Sequence, residues 1–228
     1  MHMSDLRPYA AVAIADGGEP LLPLPSTLDR LAPHPYQSLG APYGDRDPFW
    51  LRSSVVARLL AAQEWLRSQT PYSLLIVDAY RPLAVQEFMV HHTLRSLVAA
   101  EGRQWDTLSA TALADYQQRV TQFWAPPSCD PATPPPHSTG AAVDLTLRDA
   151  EGAALDMGSP IDELSERSFP DHFAADPGPF HQHRQWLRRA METAGFQQHP
   201  HEWWHFSYGD QLWAWRSGIA TACYGRVA

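Results

Sequence analysis

At 228 residues, 44% hydrophobic and 18% charged, the chain is neither disordered nor fibrous, and it is long enough for one domain with a sizeable core. A net charge of −8 with no block of Lys or Arg makes nucleic acid and anionic membrane surfaces poor partners. No apolar run approaches the ~20 residues of a membrane span, and two cysteines, Cys129 and Cys223, leave room for one disulfide but not for a disulfide framework.

The start, "MHMSDLRPYAAVAIADGG", lacks a basic stretch followed by a long apolar run, so no secretory signal is expected. The cytoplasm is the expected compartment, or the periplasm should a leader have been removed. Residues 9–15, "YAAVAIA", read as a short strand, and the Gly- and Pro-rich residues 17–50 as a long loop wrapping the core. From Ser53 the apolar residues Val55, Val56, Leu59, Leu60 and Leu66 recur at helical spacing, with Ser53 or Ser54 as N-cap and Thr70-Pro71 as the stop. "YSLLIVDA" (72–79) predicts a buried strand, ended by "YRP" because proline removes a ladder donor. Helices are expected over 83–100, with Gly102 just beyond, and over about 109–124. "APPSCDPATPPP" (125–136) predicts a rigid, extended connector. "AAVDLTL" (141–147) reads as a strand with "AALDM" (153–157) as its hairpin partner, residues 158–179 as irregular, and 181–194 as a helix stopped by Gly195. "EWWHFSY" (202–208) is the last predicted strand. This order predicts an α+β fold, a small, mainly antiparallel sheet flanked by helices, in a single domain spanning 1–228 whose first 50 residues form the loop-rich wrap.

Three stretches carry chemistry. "HSTGAAVDL" offers His137 and Asp144, "EWWH" offers Glu202 and His205, and "DAYRP" offers Arg81 at a strand end. Zn²⁺ takes imidazole nitrogen and carboxylate oxygen, and a catalytic site keeps one position for water. His137, Asp144 and His205 are such a set; two neutral imidazoles and one carboxylate leave a residual charge near +1 that acidifies bound water. Glu202 is then placed to accept that water's proton, and Arg81 to bind the oxyanion that grows as an amide carbonyl is attacked. An odd separation on one straight strand would point His137 and Asp144 to opposite faces, so a turn at "STG" is required. Glu202 and His205 raise the same difficulty, resolved by placing Glu202 at the strand's entry after Pro200.

Each residue also has a plain alternative. His137 follows three prolines and suits a surface loop. Arg81 could pair with Asp78 or Asp144, and Glu202 with His205. The tryptophans are better core residues than stacking platforms. The pairs "HQH" (181–183) and "HPH" (199–201) offer metal ligands too, but without a water-activating base beside them.

"HSTGAAVD" followed by "EWWH" resembles the paired signature His-x-x-Gly-x-Ala-x-Asp and Glu-x-Trp-His of the D-Ala-D-Ala metallopeptidases, a zinc superfamily that includes D,D-carboxypeptidases and hedgehog-like domains. "DAYRP", "DMGSPIDELSERS" and "EWWHF", in order across roughly residues 50–210, resemble the VanX-type D-Ala-D-Ala dipeptidases in particular. The resemblance implies a hedgehog/D-Ala-D-Ala peptidase-like fold and one zinc per chain on His137, Asp144 and His205. It implies Glu202 as catalytic base, Arg81 as transition-state stabiliser, Asp162 as receptor of the substrate's ammonium, and Tyr80 as a further substrate contact. The implied partner is a small dipeptide, D-Ala-D-Ala, hydrolysed to D-alanine for cell-wall recycling or glycopeptide resistance. Three positions depart from the dipeptidase pattern: Pro135 stands where Ser is common, Ile161 for Phe, and Ala79 for Gly. A cell-wall D,D-carboxypeptidase or endopeptidase and a non-catalytic metal-binding module of hedgehog type are the alternatives; the joint presence of Glu202 and Arg81 argues against the latter.

Overall fold

The computed structural model of the chain describes residues 7–176 and 178–227. In chain order its strands are β1 (Ala13–Ile14), β2 (Leu21–Pro23), β3 (Asp29–Arg30), β4 (Trp50–Arg52), β5 (Ser73–Asp78), β6 (Ala142–Arg148), β7 (Gln197–Gln198), β8 (His205–Ser207) and β9 (Thr221–Ala222). The helices longer than one turn are α1 (Ser53–Gln69), α2 (Leu83–Ala100), α3 (Ala110–Val120), α4 (Phe180–Thr193) and α5 (Gln211–Arg216).

A five-stranded sheet in the order β3-β5-β6-β8-β7 organises the molecule. It is mainly antiparallel, as the sequence predicts, with one parallel pair, β3 on β5. All six side chains of β5 are buried, and so are the first six of β6, because both faces of these central strands are covered. On one side α1 and α4 press Val55, Leu59, Leu66, Leu187 and Met191 against Leu74, Ile76, Leu145 and Leu147. A second apolar cluster joins Val85, Met89, Leu94 and Val98 of α2 to Tyr116 and Val120 of α3, to Trp124, and to Tyr36 and Tyr43 from the N-terminal segment.

Several local expectations change. The predicted strand over 9–15 is a 3₁₀ turn, Pro8–Ala11, followed by the two residues of β1, which pair in parallel with β9. The loop over 17–50 contains β2, β3 and a helical turn at Pro35–Ser38. The hairpin partner at 153–157 shrinks to one bridge, Arg148 to Ala154. Neither Ser53 nor Ser54 caps α1 with its own side chain. Glu19 does so from a distant loop: its carboxylate accepts from the Ser53 hydroxyl at 2.6 Å, from the Ser54 backbone N–H and hydroxyl, and from the Tyr224 phenol. Burial pushes the Glu19 carboxyl up, but these donors outweigh it and hold it at about 2. Cys129 and Cys223 are both free and exposed. Among the described residues no helix is long and apolar enough to cross a membrane.

Candidate metal centre and active-site cleft

Sheet register explains why residues far apart in sequence meet. Asp78 of β5 lies opposite Asp144 of β6, and Asp144 lies opposite His205 of β8, so three central strands set three side chains in a row. His137 joins them from the 3₁₀ turn Pro136–Thr139, which Gly140 closes with φ +70°. That left-handed residue is the turn needed between His137 and Asp144. Glu202 stands in the turn before β8, at the strand's entry.

The donor atoms of His137, Asp144 and His205 all lie within 4.8 Å of one another, and all three residues are buried. His137 Nε2 is 3.2 Å from His205 Nδ1 and 3.2 Å from Asp144 Oδ2; His205 Nδ1 is 3.1 Å from Asp144 Oδ1. Ligands about 2.0–2.1 Å from a tetrahedral Zn²⁺ sit roughly 3.3 Å from one another, so this spacing fits a small cation. The outward nitrogens agree. His137 Nδ1 donates to the Ala79 carbonyl at 2.8 Å, which leaves the Nε2 lone pair facing the group, and His205 Nε2 points to Ser207 Oγ at 3.4 Å. Burial pushes the Asp144 carboxyl up, but His137 and His205 more than reverse that and hold it well below the usual range.

Glu202 Oε2 is 3.6 Å from His205 Nδ1, and Oε1 is 3.7 Å from His199 Nδ1. Burial drives its carboxyl well above the ordinary value, and the charges of Asp144 and Asp162 add to the effect. A cation at the triad opposes that shift. His199 of "HPH" therefore reaches the cleft, whereas His183 of "HQH" donates instead to the Asp156 carbonyl at 2.8 Å.

Arg81 is buried and heavily anchored. Its Nε and Nη2 donate to Asp78 Oδ2 at 3.1 and 2.8 Å, and Nη1 donates to Gln86 Oε1 at 2.9 Å. Nη2 also reaches the Tyr36 hydroxyl at 3.3 Å and Asp144 Oδ2 at 3.4 Å. The rings of Tyr36 and Trp124 lie 4.9 and 5.0 Å from the guanidinium carbon. The salt bridges to Asp78 and Asp144 are thus real, and both belong to the site. Asp78 is fully buried and also accepts from His34 Nε2 at 3.0 Å and the Tyr43 hydroxyl at 3.2 Å.

Asp162 lines the same cleft as the triad, Glu202 and Arg81. It is the one described non-glycine residue with positive φ, +65°, a strained conformation that gathers at functional positions. Tyr36 donates its phenol to Asp162 Oδ2 at 2.8 Å. Burial first and the charge of Asp144 second raise the Asp162 carboxyl to about 6. The surrounding loop is stapled by buried Arg184 of α4, which donates to the carbonyls of Met157, Arg167 and Phe169 at 2.8–2.9 Å.

Tyr80 is not brought to this cleft. Its backbone N–H donates to Pro48, and its side chain lines a separate cavity with Asp47, Trp50 and Val227. Tyr36 contacts Asp162 and Arg81, and Tyr9 lines the cleft; sequence reading missed both, together with His34, Gln86 and Arg7. Their segments lack a motif, although "HPY" (34–36) places a histidine and a tyrosine around a proline.

The profile of the M15 peptidases, described as D-Ala-D-Ala dipeptidase, matches residues 29–221. A D-alanyl-D-alanine dipeptidase of Synechocystis is 46% identical over 97% of both chains. One from Enterococcus faecium is 34% identical, covering 67% of this chain and 70% of its own. Solved structures are more distant: the LdcB LD-carboxypeptidase, studied for peptidoglycan recognition, superposes with a TM-score of 0.49 at 14% identity, over 92% of this chain and 81% of that one. With the match running through the triad, Glu202, Arg81 and Asp162, the chain belongs to the D-Ala-D-Ala dipeptidase family of M15 peptidases.

Proposed function

We propose that the chain is a zinc dipeptidase that hydrolyses D-Ala-D-Ala to D-alanine, with residues 1–228 acting as one catalytic domain and one Zn²⁺ per chain. The observation that carries this reading is the buried group His137, Asp144 and His205, whose donor atoms lie within 4.8 Å of one another, with two further carboxylates, Glu202 and Asp162, in the same cleft. When held by His137, Asp144 and His205, a zinc ion supplies Lewis acidity, acidifying water and polarising the scissile carbonyl.

The protein's own groups do the rest. Glu202 accepts the proton of the attacking water and hands it to the leaving amine, a task suited to a carboxyl whose proton affinity is raised by burial. Arg81 stabilises the growing oxyanion. Its anchors at Asp78, Gln86 and two ring faces fix the guanidinium in advance, and its second Nη1 hydrogen has no acceptor among the described residues. Asp162, steadied by Tyr36, pairs with the substrate ammonium. A longer peptide places an amide where that ammonium belongs and leaves the carboxylate unpaired, which selects dipeptides.

A zinc-dependent assay of D-Ala-D-Ala beside L-Ala-L-Ala and N-terminally extended peptides tests the proposal. Preferential cleavage of the D,D-dipeptide is expected. Faster turnover of a muropeptide would instead identify a carboxypeptidase.

A further inference from the structure

Arg7 lines the active-site cleft and also the adjoining cavity walled by Pro134, Pro135 and Pro136. It is half-buried and has no carboxylate partner among the described residues. Its Nη2 donates to the Thr121 and Trp124 carbonyls, each at 2.8 Å, and its charge is felt at the Tyr9 phenol. A guanidinium carries five N–H donors, so these two bonds leave Nε and Nη1 for another acceptor. The segment bearing Arg7 is itself fixed. The turn Pro8–Ala11 packs on α5, where buried Gln211 donates to the carbonyls of Val12 at 2.6 Å, Ala132 at 3.0 Å and Ala10 at 3.3 Å.

The cleft therefore presents a carboxylate, Asp162, on one loop and an incompletely satisfied guanidinium, Arg7, on another, and both charges are felt at Glu202. That pairing is complementary to a zwitterion. A dipeptide entering a partly enclosed site loses water from its carboxylate as well as from its ammonium, and the triad, Glu202 and Asp162 offer that carboxylate only negative charge or metal-committed donors. We propose that Arg7 receives the C-terminal carboxylate of the dipeptide and so determines specificity for substrates with a free C-terminus. This rests on the dipeptidase reading. The spare N–H donors, locked by carbonyls on one edge, suit the planar two-point recognition of a carboxylate.

The test measures kcat and KM of the zinc-loaded full chain on D-Ala-D-Ala and on its C-terminal amide, for wild type, Arg7→Met and Arg7→Lys, with a melting curve for each. Wild type should prefer the free acid. Arg7→Met should raise KM for the acid by about 30-fold with kcat little changed, leave the amide almost unaffected, and so erase the preference; Arg7→Lys should restore part of it. Equal losses on acid and amide, or an unchanged KM, would reduce Arg7 to a clasp for the N-terminal segment. Should Arg7→Met fail to fold, a wild type indifferent to the free carboxylate overturns the inference by itself. A wild type that cleaves D-Ala-D-Ala while Arg7→Met keeps the acid preference overturns this inference alone; a wild type that cleaves neither ligand overturns the dipeptidase reading and this inference together.

Discussion

Glu202 shows how much one side chain's surroundings decide. It is flanked by Trp203 and Trp204, both nearly inaccessible, and stands within 3.6 Å of His205. Glu202→Gln keeps shape and hydrogen bonding but cannot carry a proton. It should retain bound zinc while kcat falls about 10²- to 10⁴-fold; metal analysis beside steady-state kinetics checks both halves. Asp162 permits a prediction with a definite sign. Its folded pKa, about 6, lies above the ordinary carboxyl value because of burial and then Asp144. Between about 4 and 6 the unfolded chain releases this proton and the folded chain keeps it, so stability falls as pH rises through that window and stays lower above it. Asp162→Asn removes that loss, and asparagine also tolerates φ +65° well. The metal-stripped variant should therefore melt higher than metal-stripped wild type by a margin that grows from pH 4 to about pH 6. Its kcat/KM on the dipeptide should drop. At this scale the triad and Glu202 were legible because His, Asp and Glu in apolar surroundings demand a partner, Arg81 because it stands at a strand end before a proline, and Asp162 only through the family resemblance. Tyr36 and Arg7 were not, since a tyrosine in a proline-rich loop and an arginine near a terminus look like ordinary surface residues until the chain folds back.

Elements matter chiefly as holders. The turn Pro136–Thr139 with Gly140 reverses side-chain parity so that His137 and Asp144 share a face. A methyl group at Gly140 meets both the left-handed backbone and the Leu21 side chain. Gly140→Ala should destabilise the protein by at least about 1–2 kcal/mol and weaken zinc binding, read by melting and by metal titration. Arg184 holds the Asp162 loop by three carbonyls and Ser159 Oγ, and Ser159 in turn accepts from Trp203 Nε1 at 3.0 Å. Arg184→Met should leave these buried acceptors unpaired, costing about 3 kcal/mol or more, and raise KM through Asp162 with zinc content unchanged. Long helices with clear apolar spacing, α1, α2 and α4, were readable in sequence to within a residue or two. The two-residue strands β1, β3, β7 and β9 were not, because so short a segment has no period of its own and is defined by its neighbour's hydrogen bonds. The cap of α1 was misread for the same reason: Ser53 and Ser54 satisfy the local rule, but Glu19 arrives from 34 residues away and accepts their bonds.

Across the whole molecule, the N-terminal segment builds the site as well as wrapping the core. It brings His34 and Tyr43 to Asp78, Tyr36 to Arg81 and Asp162, and Arg7 to the cleft, while the sheet brings Asp144 and His205 of the candidate metal group. The order of elements and the α+β class were visible in the sequence; this return of the first 50 residues to the centre was not, since it depends on long-range polar contacts and no periodicity announces it. Two imidazoles and a carboxylate gathered in a buried space should also make folding depend on the cation, because the unfolded chain offers no preformed site. A zinc titration of the metal-stripped chain, followed by calorimetry and by D-Ala-D-Ala hydrolysis on the same samples, with His205→Ala in parallel, shows whether the buried triad holds the catalytic cation. One equivalent of zinc per chain is expected, with activity returning in proportion and the melting temperature rising, and neither response in His205→Ala. Full activity without metal, or equal zinc uptake by wild type and His205→Ala, would contradict it.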